Sequence, residues 1–274
     1  MKNWLAELAA HYEATRYRHP EQKLLIFFDI DGTILDMRCM IHHVLHRYDH
    51  LHTTRFFENL VLTDIDVHEN EILPLLSAWS IPPAEYEKIL TWYEAWAWSS
   101  TAMLEAHKPF SGVLEVIRWF QMQPNTYVGL NTARPERMRE DTLRSLNQLG
   151  ATYQVNFNHD LVYMRPNDWG EAAPRAKALG VEQFRQAGFH VFAFVDNEPD
   201  NLAAISQIDP AHDILLLHAH TIFRSNRTEL PSRAVVGHHY DLADLIRGQA
   251  LRQAGHFAWN TFHDHLNQSN YPYR

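Results

Sequence analysis

Three short apolar runs in this 274-residue chain end in side chains that can do oxygen chemistry. Leu24-Leu25-Ile26-Phe27-Phe28 runs into Asp29-Ile30-Asp31-Gly32-Thr33. Thr126 to Leu130 runs into Asn131-Thr132-Ala133-Arg134, and Val191 to Val195 runs into Asp196-Asn197-Glu198-Pro199-Asp200. A carboxylate can act as a nucleophile, as an acid or base, or as a ligand for a hard cation. A threonine hydroxyl can hold an anion. Of five lysines, only Lys177 lies between Thr132 and Asp196. An aspartate at a strand end is ordinarily a turn or a helix cap, so Asp29 alone marks no site. Thr132 could simply cap a helix opening at Pro135. It is the combination that points to chemistry.

The elements that must position these residues follow from periodicity. A continuous apolar run of about five residues suits a strand buried on both faces. A further run, Ile214 to Leu217, belongs to the same class. Helical spacing is found at Trp4, Leu5, Leu8 and Ala9, and in 113–121, 136–149, 171–186 and 201–207. Strands alternating with helices predict an α/β fold with a parallel sheet covered on both sides. Such sheets bind ligands beyond the carboxyl ends of their strands, which gathers the three polar sets into one crevice. The alternation breaks from Met37 to about Lys108, where helical patterns dominate. The expected division is a core of 1–36 and 109–274 with a helical insert of 37–108. A helix is expected over 241–262 and a loose tail over 267–274.

These segments resemble the signature motifs of the haloacid dehalogenase superfamily. Asp29 to Thr33 matches its Asp-x-Asp-Gly-Thr, Thr132 its second motif, Lys177 its lysine, and Asp196 with Asp200 its acidic pair, all in order. The resemblance implies a Rossmann-like parallel sheet with a cap inserted after the first strand. It also implies a Mg²⁺-dependent phosphatase. Asp29 would be the nucleophile and Asp31 the acid and then base. Thr132, Ala133 and Lys177 would hold the phosphoryl group. Asp29, Asp196 and the backbone carbonyl of Asp31 would bind the metal, with Asp200 supporting. Arg165 and Arg175 are rivals for the part of Lys177. Members that cleave carbon–halogen bonds lack the second aspartate, so Asp31 favours phosphoryl transfer. A phosphotransferase or sugar-phosphate mutase would use the same motifs. A silent binding module is expected to have lost Asp29 or a metal ligand.

Composition bounds the rest. The formal charge is −9 at pH 7, which argues against nonspecific nucleic-acid binding. Cys39 is the single cysteine, so no disulfide closes within the chain. No run approaches the roughly 20 apolar residues of a membrane span. The expectation is a soluble, cytoplasmic protein acting on a small phosphorylated metabolite, with neither nucleic acid nor membrane as partner and the oligomeric state open. The 19 histidines include close pairs, but neighbours at i and i+2 share no helix face, and the family chemistry needs no zinc. Trp92, Tyr93, Trp96 and Trp98 read as core of the insert more than as pocket. Glu198 reads as an exposed acid at a helix start, and Arg134 as reaching either substrate or an acidic neighbour.

Overall fold

The structure, a computed structural model, describes residues 3–167, 170, 172–221 and 229–250. Asn3 caps the first helix, α1 (Trp4–Arg18), by accepting from the Leu5 and Ala6 amides. Its buried stripe is Trp4, Leu5, Leu8, Ala9, Tyr12 and Thr15. In β1 (Lys23–Phe28) all residues from Leu24 on are fully enclosed. Leu24, Ile26 and Phe28 pack into one apolar cluster, and Leu25 and Phe27 into another. That alternation is why the run shows no polar face: the strand is buried on both sides of the sheet.

The core continues with α6 (Val113–Gln121), β2 (Thr126–Pro135), α7 (Arg139–Gly150), β3 (Val162–Arg165), α8 (Ala173–Gln186), β4 (Phe189–Asp196), α9 (Pro199–Gln207), β5 (Leu215–Ala219) and β6 (Val235–Gly237). Helices α2 (Met37–His52), α3 (Leu73–Ala78), α4 (Tyr86–Ala97) and α5 (Ser100–Ala106) precede α6. Six strands form one parallel sheet in the order β3-β2-β1-β4-β5-β6. Central β1 pairs with β2 on one side and β4 on the other. Its carboxyl end is therefore the point where the winding reverses, the crevice in which such sheets bind ligands.

The strands expected around 126–130, 191–195 and 214–217 are present, and two short ones, β3 and β6, join them. β2 runs on to Pro135, with a register shift between Thr132 and Pro135 that bulges Ala133 and Arg134 out of the ladder. Pro135 thus ends a strand rather than opening a helix. A 3-10 turn, Glu136–Met138, separates it from α7.

Between the Asp29–Thr33 turn and α6 lie four helices: α2 (Met37–His52), α3 (Leu73–Ala78), α4 (Tyr86–Ala97) and α5 (Ser100–Ala106). No strand occurs in 37–106. Trp92 stacks on Trp96 with centroids 4.8 Å apart, and its indole N–H donates to the Val44 carbonyl of α2. These rings join α4 to α2. At the other end of the chain, the Tyr240 hydroxyl donates to the Thr33 carbonyl at 3.0 Å. Residues 242–250 are helical; the remainder of the expected helix, and the tail, lie outside the described residues. Among the described residues no helix is long and apolar enough to cross a membrane.

Candidate active site

The carboxyl ends of β1, β2 and β4 open into a cavity of about 590 Å³ lined by Asp29, Asp31, Thr132, Ala133, Lys177 and Asp200 among others. Of the catalytic and metal-binding residues expected from the sequence, Asp196 is the one behind the wall, fully enclosed. The turn after β1 needs its glycine. Gly32 has φ +75, and a Cβ there would meet the Asn197 amide nitrogen at 2.5 Å. The Thr33 hydroxyl then donates to the Asn197 side-chain oxygen Oδ1 at 3.2 Å, tying the β1 turn to the β4 turn.

Lys177 reaches the centre from α8. Its ammonium is 1 % exposed, 2.5 Å from Asp29 Oδ1 and 3.0 Å from Asp196 Oδ2, and it donates to the Asn131 carbonyl at 2.6 Å. Burial pushes its pKa down, but the charges of Asp196 and Asp29 outweigh this and hold it above the ordinary lysine value. For Asp29 burial wins: its pKa is pushed up to about 8 against the pull of Lys177, with Asp196 and Asp31 adding to the rise. Of the rivals, Arg165 lines the cavity at the end of β3, whereas Arg175 does not reach it.

Asp196 is gripped by Asn201, whose amide donates to both carboxylate oxygens at 3.0 Å, and by the Glu198 amide at 2.8 Å. Asp200, expected nearby in a supporting part, lines the cavity. Glu198 is the N-cap residue of α9 but makes no side-chain cap bond, and it too faces the cavity. Thr132 caps no helix: its hydroxyl accepts from the Arg134 amide at 3.1 Å, a local turn that shapes the bulge.

Arg134 takes the acidic neighbour. Nε and Nη2 donate to the two oxygens of Asp31 at 2.8 and 2.6 Å. Burial would raise the pKa of Asp31, yet this fork outweighs it and holds the carboxyl below its ordinary value. Behind Arg134 stands a buried relay. Nη1 donates to Thr142 at 3.1 Å, and Nη2 lies 3.3 Å from His107 Nε2. The other ring nitrogen, Nδ1, is 2.9 Å from the Ser145 hydroxyl, which itself donates to the Met103 carbonyl at 2.7 Å. Ser145 has only one proton, so His107 must carry its own on Nδ1 and accept from Arg134 on Nε2. Burial, then the charge of Arg134, pushes the His107 pKa down to about 3, keeping the ring neutral.

The segment between β1 and α6 also reaches the cavity, through His68, Glu69, Asn70, Glu94 and Trp98. Trp92 and Trp96 are not in its wall; of the four clustered aromatics only Trp98 is, and the Arg134 guanidinium sits 5.3 Å from its ring. Glu69 is 6 % exposed, and burial, then the charge of Asp31, pushes its pKa up to about 8. No pattern in the sequence marked residues 68–70, Asn201 or His107. Asn201, next to Asp200, was close to a recognised motif; the others carry no local signal.

No protein-family model and no curated protein matches this chain. Solved structures do. A Clostridium difficile protein recorded as a "Putative Phosphatase" is 12 % identical, with a TM-score of 0.53 over 82 % of this chain and 99 % of the other. Mycobacterium tuberculosis Protein Tyrosine Kinase A is 17 % identical, with a TM-score of 0.51 over 84 % and 99 %. A haloacid-dehalogenase-superfamily hydrolase of Geobacter sulfurreducens is 16 % identical, with a TM-score of 0.47 over 82 % and 96 %. At these identities the likeness is one of fold. The chain has a Rossmann-like α/β fold, a six-stranded parallel sheet flanked by helices among the described residues, and shares that fold with the first two of these structures.

Proposed function

We propose that this protein hydrolyses phosphate monoesters through an aspartyl-phosphate on Asp29. The observation that carries the reading is the convergence of Asp29, Asp31, Thr132 and Lys177 on one cavity at the ends of adjacent strands. A phosphoester and an attacking carboxylate are both anions, and at close range in a poorly screened crevice they repel. Lys177 offsets part of that repulsion at the atom that attacks. Asp29 Oδ attacks phosphorus and the ester oxygen departs, taking a proton from Asp31. Asp31 then draws a proton from the water that attacks the phosphorus of the aspartyl-phosphate. Thr132 and the amides following Asp29 hold the phosphoryl oxygens. Since both Asp31 oxygens are occupied by Arg134, one of those bonds must give way before Asp31 carries a proton.

The residues fit a divalent cation of the Mg²⁺ kind. Among the described residues, no three histidine, cysteine or acidic side chains converge closely enough to hold a metal alone. Mg²⁺ ordinarily takes only one or two carboxylates plus waters and substrate phosphates. The donors would be hard oxygens, those of Asp29 and the Asp31 carbonyl, with Asp200 on the cavity wall; Asp196, enclosed behind the wall, would have to give up a bond to Asn201 or Lys177 to join them. The raised pKa of Asp29 marks a pocket short of positive charge. When bound, the cation would supply that charge and so keep Asp29 ionised at neutral pH.

The insert of 37–108 would act as the cap, with residues 68–70, Glu94 and Trp98 facing the leaving group and shielding the chemistry from bulk water. A panel of phosphoesters assayed with Mg²⁺, and again after chelation, tests the reading. Phosphate release that needs the metal is expected, and turnover surviving exhaustive chelation would reject the metal's part. The likeness to a protein recorded as a tyrosine kinase keeps phosphotransfer to a hydroxyl as the second reading. Product analysis separates them, since hydrolysis yields inorganic phosphate and transfer yields a phosphorylated acceptor.

A further inference from the structure

Four cationic side chains line the cavity: Arg134, Arg137, Arg165 and Lys177. Two of them are already committed, Lys177 to Asp29 and Arg134 to Asp31. The other two are committed to no described residue. Among the described residues neither the Arg137 nor the Arg165 guanidinium has an ion pair or hydrogen-bond acceptor, and Arg165 Nε is buried with no partner. In a chain of net charge −9, two guanidiniums in one cavity that no described residue pairs call for a ligand.

Their placement is built rather than incidental. Arg165 ends β3 and stands opposite Pro135 in the parallel ladder. Arg137 follows Pro135 by two residues, and its backbone amide donates to the Asn167 side chain at 2.7 Å. That bond joins the loop after β2 to the loop after β3, so both arginines sit on the β2–β3 side of the crevice. Pro135, Met138 and Pro174 line the same cavity with apolar surface. Lys177, Asp29 and Thr132 occupy its centre.

We propose that Arg137 and Arg165 form a second anion subsite, and that the substrate's leaving group carries its own carboxylate or phosphate. This rests on the phosphoester reading above and narrows it. Guanidinium forks match carboxylate and phosphate geometry, and their charge-assisted bonds are the strong ones. A cavity of about 590 Å³ is of small-molecule size. The ligand is therefore a compact metabolite with anionic groups at both ends and a short carbon linker between them. Glu94, on the opposite side of the cavity, repels such a second anion and directs it towards the arginines.

The test uses the full-length protein with Mg²⁺ and four matched probes: propyl phosphate, 3-phosphooxypropanoate, propane-1,3-diyl bisphosphate and 3-aminopropyl phosphate. The carboxylate and the bisphosphate are expected to exceed propyl phosphate in kcat/KM by at least about tenfold per arginine engaged. In Arg137→Gln and Arg165→Gln that preference should shrink, and in the double variant it should approach unity. Arg137→Lys should keep part of it. Arg137 is exposed, so at least one variant leaves the fold unburdened. Calorimetric binding of 3-phosphonopropanoate against propylphosphonate supplies a second arm that needs no turnover. Tighter binding of the carboxylate, lost in the double variant, supports the subsite even if no probe is hydrolysed, a result that would reject only the hydrolase reading. Equal handling of propyl phosphate and the doubly anionic probes overturns the subsite and leaves the hydrolase reading standing. A preference for the aminopropyl ester also overturns it, and assigns selectivity to Glu94.

Discussion

Replacing Lys177 by methionine isolates the charge at the centre of the site. Methionine keeps most of the apolar stem, so the change removes an ammonium and its hydrogen bonds but little packing. The lost bonds are those to Asp29 at 2.5 Å, Asp196 at 3.0 Å and the Asn131 carbonyl at 2.6 Å. Two carboxylates are left enclosed without their cation. Breaking a buried pair by removing one partner costs about 3–5 kcal/mol, and with the lysine 1 % exposed solvent screening reduces this little. The cost must depend on pH. Burial already pushes the Asp29 pKa up against the pull of Lys177, and without Lys177 it climbs further. A carboxyl whose folded pKa is raised keeps its proton after the unfolded chain has released it. Its contribution is present below the unfolded value of about 4 and is lost as pH rises through the folded value. Urea unfolding of both proteins from about pH 5 to about pH 9, with chelator present, measures this. The gap between wild type and variant should be smaller near pH 5, where Asp29 carries its proton in both proteins, and widen above about pH 8, where the wild-type carboxyl ionises beside Lys177 and the variant's keeps its proton. An equal loss at both ends would refute the claim that Lys177 serves to neutralise the aspartates.

Other outcomes follow from the same geometry. Asp209, enclosed between Arg185 and Arg233 at 3.0 Å each, has a lowered pKa: burial pushes it up, but the Ile214 amide and the two arginines prevail. Its stabilisation is present above the ordinary carboxylate value and lost as pH falls through the folded one, so Asp209→Asn should cost about 2–3 kcal/mol at pH 7 and flatten the acid limb of the stability curve. Glu69 behaves oppositely, since its pKa lies near 8. Glu69→Gln should match wild type near pH 4 and exceed it by a few kcal/mol near pH 9, as followed by thermal melting in chelator. His107→Leu leaves the Ser145 oxygen and Arg134 Nη2 without their partner and should cost about 2 kcal/mol. His107→Gln, which can offer both a donor and an acceptor, should cost less, and equal losses would remove the relay.

The central strands were legible because burial on both faces leaves an unbroken apolar run, as in Leu24 to Phe28 and Val191 to Val195. β3 and β6 escaped because each is short, with four and three residues. Val162 to Arg165 alternates buried and half-buried positions, so too few apolar residues stand together to signal a strand. The carboxylates at the strand ends announced themselves through local motifs. Their partners did not. Arg134 and Asp31 are 103 residues apart, and nothing in either neighbourhood records that the β2 bulge turns one guanidinium onto the other's carboxylate. His107 and Ser145 meet only because α5 packs on α7. Residues 68–70 enter the cavity from a loop without periodicity, where pattern reading has no purchase.

The most direct test of the account is chemical trapping of the phosphoenzyme. The protein would be mixed with Mg²⁺ and a ³²P-labelled phosphoester that it turns over, quenched in acid within one turnover, reduced with borohydride and digested for mass spectrometry. An aspartyl-phosphate at position 29 is reduced to homoserine there, so the account predicts label in the quenched protein and homoserine at residue 29, both absent from Asp29→Asn. Turnover without a trapped phosphoenzyme, homoserine at Asp31 or another residue, or undiminished activity in Asp29→Asn would contradict it.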